Sequence, residues 1–230
     1  MQGGIETYLF RFLKYYQCKI DPIIICINKK VDKNLFDNFM SVGAKIYFIK
    51  FNLNPYNLIS FFSLVKKNNI KTICDFRGDF SGFSIFTSYL FNISNRIVFY
   101  RESEYQFKKN LLKLIYIKFS HFLITVFAKK ILSNSNASLE NFFSKSSLKK
   151  KYFNVIYNGV YNEKFELKNK NNIRKKFKIP KNAFVIGHVG RFCEAKNYDL
   201  IISLALKLCY NYDDIYFLIC GREIEKHFKK

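Results

Sequence analysis

Apolar and polar positions along the chain follow two alternating periods. Pro22 to Ile27 is an almost unbroken apolar run, the pattern of a strand buried on both faces of a parallel sheet. Glu6 to Tyr16, by contrast, spaces its aliphatic and aromatic residues as a helix does. The alternation continues with a helix from Lys33 to Met40, a strand from Lys45 to Phe51, a helix from Pro55 to Lys67 and a strand from Ile70 to Asp75. Phe83 to Phe91 reads as a helix, Arg96 to Tyr100 as a strand, and Gln106 to Ala128 as a long apolar helix. A strand from Ile131, a helix from Ala137 to Phe143 and a strand from Tyr152 to Ile156 follow. Strands separated by helical patterns predict right-handed βαβ units and a doubly wound sheet.

The pattern breaks after the turn pair Asn158-Gly159. Asn162 to Ile179 is polar and rich in lysine, with apolar periodicity returning only at Ile173 to Phe177, so a domain boundary is expected there, dividing residues 1–165 from 166–230. Beyond Pro180, Ala183 to Val189 reads as a strand, Asn197 to Leu208 as a helix and Asp214 to Cys220 as a second strand ending in Gly221-Arg222. Glu223 to Lys230 would begin another helix.

Composition narrows the classes. A chain of 230 residues that is 49% hydrophobic buries a sizeable core and is not disordered. The formal charge of +22 invites a nucleic-acid reading, but the lysine pairs are spread along the chain and mostly flank apolar segments, as solvated element ends do. Phe and Tyr fall at core spacing rather than interleaved with basic residues on one face, so no nucleic acid is expected. An anionic membrane surface would still attract such a chain, at about 1 kcal/mol per suitably placed Lys or Arg. Cys18, Cys26, Cys74, Cys193, Cys209 and Cys220 show no metal spacing and read as small buried hydrophobes in a reducing cytosol. Met1 is followed at once by Gln2, Gly3 and Gly4, so no signal peptide is expected and the protein reads as cytoplasmic, in contact with the inner face of the membrane.

Candidate chemistry concentrates at Phe184 to Lys196, a strand, a glycine-bearing loop and a helix start. Gly187 and Gly190 give the backbone room to approach a ligand, and the helix start offers free N–H groups to an anion. Arg191 and Lys196 add a forked donor and a mobile charge, which suits a diphosphate. A second candidate is Asp75 to Gly82, on the carboxyl side of the sheet. There Arg77 and Asp79 shape an acceptor pocket or, on the plainer reading, a turn before the next helix. The Gln106 to Ala128 stretch contains Lys113, Lys118 and His121, so it reads as an amphipathic helix packed on the core or resting on a membrane surface, not as a spanning one. His121 reads as packed.

Four segments carry a family resemblance. Gly187-His188-Val189-Gly190-Arg191 followed by Lys196-Asn197 resembles the G-x-V-G-R signature in the second domain of family 4 (group 1) glycosyltransferases. Ile131 to Ser138 resembles their strand–Ser–helix element, and Val155 to Val160 followed by Phe165 resembles their v-i-x-N-G-v segment. Gly3-Gly4-Ile5-Glu6-Thr7 resembles their first glycine loop, G-G-x-E. The resemblance implies an α/β fold of the GT-B type, with one nearly complete Rossmann-like doubly wound domain on the acceptor side and the first part of a second that binds the nucleotide sugar. It implies retaining transfer of a sugar from a nucleotide sugar to a glycan or lipid-linked acceptor, as in surface polysaccharide assembly. On it, Arg191 and Lys196 bind the donor diphosphate and stabilise the charge that develops as the sugar leaves, with no metal and no cofactor.

The same resemblance places Gly3, Gly4, Glu6, Arg77, Asp79, Arg101 and Glu102 on the acceptor side of the cleft. Tyr100-Arg101-Glu102 stands where many members carry a His near the reacting sugar. Two expected parts are missing: the strand that precedes G-G-x-E in the family, which would be central in the sheet, and the Glu, seven residues, Glu motif that holds the ribose and the donor sugar. The chain therefore reads as truncated at both ends, and little or no transferase activity is expected of it alone. The reading of a different class is a basic protein that binds nucleic acid or a membrane surface without catalysis.

Overall fold

A computed structural model describes residues 3–28, 32–101, 110–149, 152–159, 170–190, 192–221 and 224. The chain forms two compact units, Met1–Gly159 and Val160–Lys230. In the first, α1 (Gly4–Tyr15), β1 (Ile23–Cys26), α2 (Lys33–Ser41), β2 (Lys45–Phe48), α3 (Pro55–Lys67), β3 (Thr72–Asp75), α4 (Gly82–Leu90) and β4 (Asn95–Tyr100) succeed one another. They are followed by α5 (Leu111–Phe127), β5 (Lys130–Ser133), α6 (Asn136–Phe142), α7 (Lys145–Leu148) and β6 (Phe153–Val155). Helix starts are set by short polar side chains: Asp32 accepts from the Asn34 and Leu35 amides, Asn54 from Tyr56 and Asn110 from Lys113. Asn69 and Asn92, just past α3 and α4, take positive φ angles of 48° and 58°, a conformation in which asparagine serves in place of glycine.

All strand pairs are parallel. β1 pairs with β2, and β3, β4, β5 and β6 form a second ladder in that order. Alternate side chains of β1 and β2 face opposite helices, as the strand period requires. Ile24 and Ile46 pack with Leu13 of α1 and with Leu35 and Phe39 of α2. Ile23, Ile25 and Tyr47 pack with Phe61, Leu64 and Val65 of α3, in a cluster that Ile73 of β3 joins. Helices on both faces make this a doubly wound layer. The largest core lies around Val98 and Tyr100 of β4, Ile85 of α4, Ile124 of α5, Ile131 of β5 and Phe143.

Two expectations need correction. The apolar run of β1 is only half-buried along its length, because among the described residues it has a ladder partner, β2, on one edge and no ladder joins it to β3. The cysteines are not buried hydrophobes: Cys18, Cys74, Cys209 and Cys220 are exposed, and Cys26 and Cys193 are intermediate. Cys18 occupies a left-handed turn after α1, and Cys26, Cys74 and Cys220 lie on strands with a ladder partner on only one side among the described residues.

The turn between β3 and α4 holds the first unit together. Asp75, at the end of β3, accepts from the Arg77 guanidinium and from the Ser84 hydroxyl of α4. Arg77 also lies over the Phe51 ring, 5.4 Å from its centroid. Burial alone would raise the Asp75 carboxyl, but hydrogen bonds and charge from Arg77, with the hydrogen bond from Ser84, outweigh it and hold the group below the ordinary carboxylate range. At Gly82 the first turn of α4 crosses α5 at close range. A methyl group there would sit 2.6 Å from the Ser120 Cα, and the Gly82 amide donates to the Ser120 hydroxyl at 2.9 Å. Helix α5 turns Ile117, Ser120, Leu123 and Ile124 inward, whereas Leu112 is 78% exposed and Phe119 and Phe122 are 58% exposed. Among the described residues no helix is long and apolar enough to cross a membrane.

The second unit contains α8 (Lys170–Lys176), β7 (Phe184–Val189), α9 (Tyr198–Asn211) and β8 (Ile215–Cys220). β7 and β8 pair in parallel from Phe184 opposite Ile215 to Val189 opposite Cys220. Arg174 fastens α8 to the entry of β7 by donating to the carbonyls of Pro180 and Ala183, at 2.8 and 3.0 Å.

Two outcomes follow from these contacts. Gly82→Ala should cost about 1–3 kcal/mol in urea unfolding, since neither helix backbone can yield cheaply, whereas Gly159→Ala, which meets nothing within 4 Å, should stay within about 0.5 kcal/mol. The folded Asp75 carboxyl titrates below its unfolded value of about 3.9, so the unfolded chain binds more protons between the two. The stabilisation from Asp75 is thus fully present above about pH 4 and is lost as pH falls through the folded value. Urea midpoints of wild type and Asp75→Asn should converge below that pH; a gap independent of pH would refute the ion pair.

Candidate functional site

The second unit brings its candidate residues to the carboxyl ends of β7 and β8. Gly190 follows β7 directly, and its amide donates to the Cys220 carbonyl at 2.9 Å. Its own carbonyl accepts from the Tyr198 hydroxyl at 2.8 Å, which ties the loop to the first residue of α9. A methyl group on Gly190 would meet His188 Nε2 at 3.1 Å and the Tyr198 hydroxyl at 3.4 Å, and one on Gly221 would collide with the Gly190 carbonyl. Gly190 and Gly221 therefore let two parallel strand ends close up. Gly187, inside β7, has open space around the position of a side chain.

Lys196 ends a short 3-10 turn, Glu194–Lys196, between the strand and α9, and its side chain is exposed. Asn197 then adopts φ 45° and caps α9 by accepting from the Leu200 amide at 3.3 Å. His188 Nε2 is buried at this loop with no hydrogen-bond partner among the described residues, and its ring meets Tyr198 edge to face at 5.2 Å. A buried polar atom left unpaired costs about 1–3 kcal/mol, so a ligand group or an ordered water is needed to complete it. Arg191 lies outside the described residues.

In the first unit, Gly3 and Glu6 form the start of α1: Glu6 Oε2 accepts from the Gly3 amide at 2.9 Å, and the Thr7 hydroxyl donates to the Gly3 carbonyl at 2.9 Å. A methyl group on Gly3 would press on that carboxylate at 2.6 Å, whereas Gly4 has nothing within 4 Å. The pattern G-G-x-E is thus a helix start with a built-in cap. One turn on, Tyr8 meets Phe76 beyond β3 and Phe99 of β4, with ring centroids 6.2 and 5.6 Å away, so α1 lies against the carboxyl ends of both strands.

Arg77 and Asp79 serve that fabric. Arg77 is paired with Asp75, and Asp79 is 3% exposed. The Asp79 carboxylate accepts from the Tyr100 hydroxyl and lies 3.0 Å from His121 Nδ1, while its carbonyl accepts from the Ser120 hydroxyl. His121, whose ring lies 4.7 Å from that of Phe143, thereby belongs to the packing around the turn.

Arg101 follows the last residue of β4. Its guanidinium lies over the Tyr8 ring at 4.2 Å and the Phe99 ring at 5.1 Å, and Nη2 donates to Asn158 Oδ1 at 2.8 Å. Glu102 lies outside the described residues. The structure thus gathers Gly190 and Lys196 in one unit, and α1, Arg77, Asp79 and Arg101 in the other. Sequence reading missed Gly221, Tyr198, His188 Nε2 and Asn158; the one signal present was a glycine at each strand end. No group of three or more His, Cys, Asp and Glu side chains that could hold a metal ion occurs among the described residues.

Residues 169–230 match the family model described as glycosyl transferases group 1. The capsular polysaccharide biosynthesis glycosyltransferase CapH of Staphylococcus aureus is 32% identical over 207 residues, 88% of this chain and 54% of that protein. The O-antigen biosynthesis glycosyltransferase WclY of Escherichia coli is 32% identical over 101 residues, 44% of this chain and 26% of that protein. The chain thus spans about half the length of the first relative and about a quarter of the second. Among solved structures, Anabaena Alr3699/HepE in complex with UDP-glucose superposes with a TM-score of 0.68 at 16% identity, over 95% of this chain and 57% of that one. The complex of the same protein with UDP and glucose gives 0.67 at 14% identity, over 94% and 57%. With the strand–glycine loop–helix geometry of the second unit, these matches show that the chain belongs to the group 1 glycosyltransferases and has the GT-B fold.

Proposed function

We propose that this chain works in the transfer of a sugar from a nucleotide sugar to a glycan or lipid-linked acceptor during surface polysaccharide biosynthesis. The observation that carries the reading is the loop from Gly190 to Lys196: a strand end crowded by Gly221, a lysine and a capped helix start, inside the segment that matches the family model. The orphaned His188 Nε2 at the same loop supports a ligand there. The names of CapH and WclY supply the pathway class, and the UDP-glucose bound to HepE supplies the donor class.

In this reading the donor diphosphate lies at the start of α9. Lys196 and Arg191 neutralise it, and the same cations hold the charge that grows on it as the bond to the sugar breaks, so the protein supplies electrostatics and no covalent step. Two cations on one diphosphate take the place of a metal, and no cofactor is needed. Gly3, Gly4 and Glu6 shape the start of α1 on the acceptor side, and Glu102 follows Arg101 there.

A lipid-linked acceptor calls for a membrane surface, and α5 supplies a face for it. Leu111, Leu112, Ile115, Phe119 and Phe122 are exposed along one side, with Lys113 and Lys118 on the same helix and a chain charge of +22 behind them. The protein then works at the inner face of the membrane.

Two measurements test these parts. UDP-glucose titrated calorimetrically should bind wild type and lose at least tenfold in affinity on Arg191→Ala with Lys196→Ala, with no change on adding EDTA; equal affinity in both proteins would sink the donor site. In flotation with anionic phospholipid vesicles, wild type should rise with the vesicles, and the Phe119→Glu, Phe122→Glu double variant should stay behind at unchanged far-ultraviolet circular dichroism. Equal flotation would remove α5 from the membrane contact.

A further inference from the structure

We infer that Arg101 and Asn158 form a second anion site, in the first unit, that holds a phosphate ester group of the acceptor. The inference rests on the donor reading of the second unit, which already accounts for the donor diphosphate. Arg101 stands at the carboxyl end of β4, the side of a doubly wound sheet where ligands bind. Its guanidinium lies over the Tyr8 ring, close to Phe99, and donates to Asn158 Oδ1, so its fork is held in one orientation before any ligand arrives.

Two features of this guanidinium are unusual for a structural arginine. Nη1 is buried and has no hydrogen-bond partner among the described residues. Among the described residues no carboxylate pairs with it: Asp75 is taken by Arg77, and Asp79 faces His121. Burial lowers its pKa, the mark of a cation held away from water without full compensation, yet a guanidinium stays charged. Compare Arg77 on the same sheet end, which spends its fork on Asp75. Among the described residues nothing takes the two hydrogens of Arg101 Nη1.

An oxyanion with several acceptor atoms satisfies this arrangement. A phosphate presents oxygens to Nη1 and to the remaining hydrogen of Nη2 at once, while the Asn158 amide N–H2, whose oxygen faces the arginine, adds a neutral donor. A sugar hydroxyl leaves the charge uncompensated. The acceptor class is therefore a phosphate or diphosphate ester rather than a neutral glycan, and Arg101 selects it by its anionic end.

The test uses the full chain with Arg191→Ala and Lys196→Ala, so that the donor site is removed, and inorganic pyrophosphate as the probe. Pyrophosphate should bind this protein, and Arg101→Gln in the same background should weaken it at least tenfold. Asn158→Ala, an exposed position, should weaken it about threefold and serves if Arg101→Gln does not fold. No binding in the donor-site background, equal binding by both variants, or binding of glucuronate in preference to pyrophosphate would each overturn the site. UDP-glucose separates the two readings. Should Arg101→Gln alone weaken UDP-glucose as much as Arg191→Ala with Lys196→Ala does, the anion at Arg101 is the donor's and the acceptor assignment fails. Should UDP-glucose ignore the Arg191→Ala, Lys196→Ala change while pyrophosphate still needs Arg101, the donor reading fails and the anion site stands.

Discussion

Two buried carboxylates, Asp75 and Asp79, fix the turn on which the first unit depends. A carboxylate in that position is tolerated only with its hydrogen bonds filled, and each fills them from different elements. Asp75 takes Arg77 and Ser84, joining β3 to α4. Asp79 takes Tyr100 and His121, joining the turn to β4 and α5, while Ser120 bonds its carbonyl from the same helix. The close crossing at Gly82 follows from this, because the polar partners draw α4 onto α5 to a distance only glycine allows. Tyr100, the last residue of β4, joins that polar cluster to the apolar core, and so both fix the place of Arg101.

Much of the architecture was legible because it rests on period. Apolar runs of strand length alternating with helical spacing placed each parallel strand of the first unit, and the limits of α3 agree with the reading at both ends. What period does not encode was not legible. It cannot tell a strand flanked on both edges from one with an open edge, which is why β1 is half-buried and Cys74 exposed. Helix α8 was obscured because its residues are polar and lysine-rich; among the described contacts, Arg174 seats it by donating to two carbonyls.

The candidate sites divide along the same line. The strand–glycine–lysine–helix order of the second unit is local in sequence, and the structure shows why it closes: Tyr198 and Gly221 complete what Gly190 begins. Roles that depend on distant partners were hidden. Arg77 and Asp79 have the chemistry of a pocket, yet their partners spend them on the turn. Arg101 is marked in sequence by its charge and by its place in the family resemblance, but its surroundings come from Tyr8 and Asn158, which are remote in the chain, as well as from Phe99 two residues before it.

Among the described residues, each unit thus ends parallel strands in a cation and an unpartnered polar nitrogen: Arg101 with its own Nη1 in the first, and Lys196 with His188 Nε2 in the second. Anion chemistry follows from both. The central claim is that the loop from Gly190 to Lys196 holds the diphosphate of a nucleotide sugar, and a crystal structure of the protein grown with UDP-glucose tests it most directly. The account predicts the diphosphate at the start of α9, within hydrogen-bond reach of Lys196 and of the amides that follow Gly190. A nucleotide bound elsewhere, with that loop empty, would contradict it.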